Sequence, residues 1–145
     1  MSTETPYPIQ LEQVLFTKCS VIAVPDHVPV EGQEVAMPVN QISVIPNPDT
    51  DQKRSFIVQM NTVINPEMDK LSPYSIVVEC FAQMRASEEL SDEEALKGVT
   101  INGHSVCYGA IRETVAWLTS RQPYGPLMLG MSVLRAATAK QKGSK

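Results

Sequence analysis

The apolar residues of this chain change their period once, at Ser91-Asp-Glu-Glu94. Before that point they recur at every second residue, the repeat of a strand; beyond it they recur every three or four, the repeat of a helix. Strands first and a helix last make an α+β domain, in which short polar links join consecutive strands into an antiparallel sheet. The 145 residues fit one such domain, with a single core large enough to hold it without staples.

Four strands are legible. Ile9 to Val24 has apolar residues on both parities after Val14, as in a strand covered on both faces or bent by a bulge. It stops at Pro25-Asp-His-Val-Pro29, because proline cannot donate to a ladder. A second strand is expected near Glu34, with Val35, Met37 and Val39 on one face and a parity shift near Asn40 toward Ile42 and Val44. The turn Pro46-Asn-Pro-Asp-Thr-Asp51 leads into a third strand, Lys53 to Ile64, with Phe56, Val58, Met60, Thr62 and Ile64 on one side. The fourth, Tyr74 to Ala86, puts Tyr74, Ile76, Val78, Cys80, Ala82 and Met84 on one face and Val77, Glu79, Phe81, Gln83 and Arg85 on the other.

Ser91 and Glu94 form a capping-box signature, and the acids between them suit a helix N-terminus. A short helix is expected to end near Gly98, and a longer one to begin at Asn102 or Ser105 and run to Arg121, before Pro123. His104, Tyr108, Ile111, Val115 and Leu118 fall on one face of the longer helix, with Cys107, Ala110, Thr114 and Trp117 as an adjacent stripe. So wide an apolar face predicts either a second partner surface or a broad core contact. Behind Pro123 and Pro126, the run Leu127 to Leu134 has neither helical nor strand period. An ordered loop is expected there, with its side chains exposed or half-buried. Residues 1–8 are expected to be a flexible start, 9–134 the folded domain, and 135–145 a helical stub followed by a basic, disordered tail.

Several function classes lack support. Sixteen acids against twelve bases give a net charge of −4, the wrong sign for a nucleic-acid binder. No apolar run reaches membrane-spanning length, and the N-terminus lacks the regions of a signal peptide, so a cytoplasmic protein is expected. Cys19, Cys80 and Cys107, with His27 and His104, show no metal-ligand spacing, so neither a metal nor a cofactor is expected. Buried thiols in a reduced cytosol explain these cysteines, although a Cys–His pair meeting in space stays open. No nucleotide-binding, nucleophile-elbow or zinc-protease motif occurs, and no catalytic residue or enzymatic activity is predicted. What remains is apolar surface. Methionines at 37, 60, 84, 128 and 131 suit either core packing or a surface that accepts varied partners. Met128 and Met131, in the proline-led loop with Leu127 and Leu129, are the pair least easily assigned to core.

The stretch Tyr108 to Leu129 resembles the SecB export-chaperone family through Arg112-Glu113, Ser120-Arg121 and the Leu127-x-Leu129 step. Gln13-Val-Leu-Phe-Thr-Lys18 followed by Pro25 is similar to that family's first strand, Glu34-Val-x-Met-x-Val39 to its second, and Val78-Glu79 to its fourth. The resemblance implies a four-stranded antiparallel Greek-key sheet backed by the long helix. It also implies a homotetramer, a dimer of dimers, with Tyr108, Ile111, Val115, Trp117 and Leu118 at the helix interface. An apolar client groove would use Val35, Met37, Val39, Leu127, Leu129 and Leu134, to which the loop residues Tyr124, Met128 and Met131 are added. Better-known members dock a SecA-type translocase ATPase through acids on the outer sheet face. Here only Glu79 matches, and the first strand has Cys19 and Ala23 at the corresponding places. The function implied is an ATP-independent holdase for unfolded or pre-secretory polypeptides, linked to export. The alternatives are a chaperone dedicated to one partner, such as an antitoxin, and a small-molecule-binding or enzymatic domain on a related fold.

Overall fold

The computed structural model describes residues 7–29, 37–48, 54–132 and 134. Strands β1 (Ile9–Ala23), β2 (Val39–Pro46), β3 (Ser55–Ile64) and β4 (Tyr74–Ala86) precede one helix, α1 (Asp92–Thr119). The sheet order is β1-β4-β3-β2 and every pairing is antiparallel. Strands β2, β3 and β4 follow one another as neighbours while β1 returns beside β4, a Greek-key arrangement. The predicted strand around Glu34 and Val35, the helical stub and the basic tail lie outside the described residues.

Strand β4 occupies an inner position, and its even-numbered residues Tyr74 to Ala86 are all buried. They face α1 together with Val58, Met60, Thr62 and Ile64 of β3. Two register irregularities interrupt β1, between Leu11 and Gln13 and between Phe16 and Lys18. Each extra residue reverses which parity faces the helix. Cys19 and Ala23, read from sequence as outer-face positions, therefore sit opposite the buried Val78 and Tyr74, on the helix side. Lys18, Ser20 and Ile22 take the outer face, opposite Glu79, Val77 and Ser75.

The helix starts as predicted. Ser91 accepts from the Glu94 amide while the Glu94 carboxylate accepts from the Ser91 amide. That bond pattern holds the Glu94 pKa below the ordinary carboxylate value. The expected break near Gly98 is absent, and α1 runs unbroken through Gly98 and Gly103. These glycines mark close approach to the sheet. A Cβ on Gly98 would stand 3.0 Å from Ile9 Cδ1, and one on Gly103 would stand 2.5 Å from Val58 Cγ2. Ala95, Val99, Gly103, Cys107, Ile111, Val115 and Thr119 are all buried, every fourth residue along the helix. Four residues turn about 400°, so this stripe drifts by roughly 40° per step and winds around α1, as crossing a twisted sheet requires.

Candidate binding surface

The helix ends where Thr119 Oγ1 donates to the Val115 carbonyl and accepts from the Leu127 amide (2.8 Å). From there residues 120–132, with 134, form a strap that returns along α1. Its first anchor is the fully buried Tyr74. The Tyr74 hydroxyl donates to the Gly125 carbonyl (2.6 Å) and accepts from the Tyr124 amide (3.2 Å). Burial raises the pKa of this phenol above its ordinary value, so it stays protonated as the donor this contact needs. Tyr124 reaches the Val24 carbonyl through its own hydroxyl (2.7 Å) and meets both Tyr74 and His27 edge-on. Farther along, Tyr108 donates to the Gly130 carbonyl (2.6 Å), and His104 Nε2 lies 3.1 Å from Ser132 Oγ. The strap thus runs antiparallel to the helix toward its N-terminal half.

These anchors sort the strap's side chains. Leu129 is 7% exposed and belongs to the core, and Leu127 packs against that core half-buried. The Leu-x-Leu step is therefore the strap's hydrophobic footing, and its two leucines point inward. Met128, between them, is 69% exposed and Met131 is 88% exposed. Met131 and the half-buried Leu134 join Ile101, His104, Tyr108 and Arg112 around an open hollow of about 480 Å³. Ile101 went unnoticed in the sequence because a helix broken near Gly98 leaves it without a face. On the continuous helix, Ile101, Ser105, Tyr108 and Arg112 form one line at i, i+4, i+7 and i+11.

The other predicted groove residues do not converge on this hollow. Met37 is exposed just before β2. Val39 is exposed and pairs with Val63 on the face turned away from the helix, and Val35 lies outside the described residues. The five helix residues assigned to an interface also separate. Tyr108, Ile111 and Val115 are buried within the chain, where they pack in its own core. Leu118 is half-buried and Trp117 is 69% exposed. Only those two keep apolar area for a partner. The wide face is mostly a core contact, and its width comes from the winding stripe. Glu79 stands on the outer face opposite Lys18 and accepts from Thr17 Oγ1 (3.1 Å).

Among the described residues no group of three or more His, Cys, Asp or Glu is placed to hold a metal ion, and no helix is long and apolar enough to cross a membrane. A solved Mycobacterium tuberculosis SecB-like chaperone, in complex with a ChAD peptide from the HigA1 antitoxin, matches 87% of this chain and 88% of its own, with a TM-score of 0.59. The fold is SecB-like. At 19% identity the likeness is one of backbone architecture, with most side chains replaced. A solved Streptococcus agalactiae protein of unknown function also matches this chain in fold, with a TM-score of 0.50 and 14% identity, over 85% of this chain and 97% of that one. No family model matches the sequence, and no curated protein matches it either.

Proposed function

We propose that this chain is an ATP-independent chaperone that holds extended apolar stretches of non-native polypeptide. The observation that carries this reading is the strap, which turns Leu127 and Leu129 inward and thereby holds Met128 and Met131 outward, Met131 beside an open hollow. The exposed Met131 thioether next to Ile101, Tyr108 and Leu134, with the exposed Met128 on the same strap, makes a surface whose shape adapts to its occupant. Each client side chain removed from water there gains roughly 1.5–3 kcal/mol, so a few contacts bind without demanding a sequence. The role is non-enzymatic and cytoplasmic, with pre-secretory chains among the clients. Trp117 is covered by a second copy of the chain, in a tetramer built as a dimer of dimers. Export through a SecA-type translocase would fall to Glu79, and the hydrogen bond it accepts from Thr17, with Lys18 opposite it in the ladder, makes it a weak anchor for a basic partner.

A second reading, a chaperone dedicated to one partner, is favoured by the antitoxin peptide held by the Mycobacterium tuberculosis neighbour. One experiment addresses both. Binding of several unrelated unfolded proteins is measured for the native chain and for the Met128→Glu/Met131→Glu variant, alongside solution mass. A holdase binds most of them, and the double variant loses roughly tenfold or more in affinity, as expected when about 1.4 kcal/mol or more of apolar burial is removed, with its mass unchanged. Capture of a single client supports the dedicated reading. Unchanged capture by the variant removes the strap from the binding surface.

A further inference from the structure

The hollow beside the strap carries one permanent charge. Arg112 stands exposed at its rim, on the helix line that also holds Ile101 and Tyr108. The residues one turn away from it on either side are Tyr108, Gly109, Val115 and Ala116, none of them acidic. Glu113 follows it directly and is turned about 100° around the helix axis. Among the described residues Arg112 enters no ion pair; those that form, Arg54–Asp92 and Arg85–Glu12, lie elsewhere. The lining of the hollow holds no Asp or Glu. Burial lowers the His104 pKa and raises that of Tyr108, so both walls are neutral at neutral pH. Beyond Leu134 the sequence adds Arg135, Lys140, Lys142 and Lys145 and no acid. A chain of net charge −4 thus presents an unbalanced cation at the edge of an apolar hollow.

We propose that Arg112 gives the hollow a preference for polypeptide segments in which an Asp or Glu lies next to large apolar residues. This deepens the holdase reading and rests on it. The apolar side chains enter against Ile101, Met131 and Leu134, and the carboxylate meets the guanidinium at the rim. A guanidinium suits this place, because its planar fork donates to both carboxylate oxygens and its weak hydration tolerates an apolar neighbour. An occupant that displaces water from the hollow also lowers the dielectric around the pair and strengthens it. An uncharged segment binds by burial alone, and a basic one meets Arg112 as a like charge. The chemistry of the hollow favours a peptide over other anions. One cation is too few to hold a nucleic-acid backbone or an anionic membrane, which need several. It matches a single carboxylate set among apolar side chains. The result is a bias within a permissive surface, since the methionines still adapt to whatever apolar residues accompany the acid.

The test measures binding of three short peptides to the full-length protein by fluorescence anisotropy. The peptides share a Leu-Val-Phe centre and blocked ends, and differ only in a flanking Asp, Asn or Lys. The Asp peptide should bind about fivefold more tightly than the Asn peptide, the upper range for an ion pair at a partly exposed rim, and the Lys peptide most weakly. Raising the salt from about 0.05 to 0.5 M should shrink these differences. Arg112 is exposed, so its substitution leaves the core intact. In Arg112→Gln the ratio between the Asp and Asn peptides should fall below about twofold, and in Arg112→Glu the order should invert in favour of Lys. Equal binding of the three peptides, tighter binding of the Lys peptide, or an order unchanged by Arg112→Gln would overturn the preference and leave the holdase reading standing. Failure of all three to bind would overturn the holdase reading and the preference with it.

Discussion

The two faces of the sheet come from the same strands and have opposite characters. On the helix side the inward residues of β3 and β4 are closed off from water. On the other side Leu15, Ile22, Val39 and Ile45 remain exposed, interleaved with Gln13, Gln41, Ser43, Gln59, Asn61 and Gln83. Strand composition alone does not make this difference, since β-branched residues occur on both sides. It arises from what covers each face. A helix approaches one face closely enough that two of its positions hold no side chain, and a strap then seals the edge. Among the described residues nothing covers the other face, and its apolar residues are diluted with amides and hydroxyls. The lesson is that the binding surface proposed above is a by-product of sealing: where the strap closes the core, its alternate residues are left pointing at water.

The strongest way to break the contrast is to push helix and sheet apart. Gly103→Val sets new atoms against Val58, where even a Cβ would stand at 2.5 Å. Overpacking of this kind costs about 3 kcal/mol. Urea denaturation should show that loss, whereas Leu15→Ser on the uncovered face should shift stability by no more than about 0.5–1 kcal/mol. Equal losses at the two positions would mean that the faces are not energetically distinct.

A smaller effect sharpens the role of the strap. Tyr74→Phe removes the hydroxyl that joins Tyr124 and Gly125 and leaves two half-buried backbone groups short of a partner, at a cost of about 1 kcal/mol. Limited proteolysis should then cut the strap faster than the helix. If cleavage stays at the native rate, the leucine footing alone holds the strap.

How much of this was legible in the sequence follows from what each element depends on. Strand β4 matches its predicted span because its alternation and flanking proline are local properties. The capping box fixed the helix start for the same reason. Gly98 was misread as a break, since a glycine that stops a helix and one that lets it touch a sheet look alike until Ile9 is known to face it. A bulge in β1 was anticipated, but the parity of Cys19 and Ala23 depends on where the extra residues fall, which the pairing with β4 decides. The apolar character of the strap was visible, and the inward turn of Leu127 and Leu129 was not. That turn is set by Thr119, Tyr108 and Tyr74, residues up to 51 positions away in the chain. Elements came from local pattern; facing came from tertiary contact.

The gentlest test of the sealed face is pH. His104 is buried, stacks on Tyr108 and meets Ser132 on the strap. Burial disfavours its charged form and holds its pKa below the ordinary histidine value of 6.5. In the unfolded chain the imidazole gains its proton as pH falls through that ordinary value, while in the folded chain it gains it only at lower pH. Over that interval the unfolded state binds more protons, so folding stability declines as pH falls from about 7 toward the folded pKa and levels off beneath it. Above neutral pH this group contributes no slope. Urea midpoints measured between about pH 7.5 and 5 should show the decline, and His104→Gln, which keeps a polar group toward Ser132, should flatten it. An unchanged slope in that variant would assign the pH dependence elsewhere and leave His104 as a packing residue of the strap's far end.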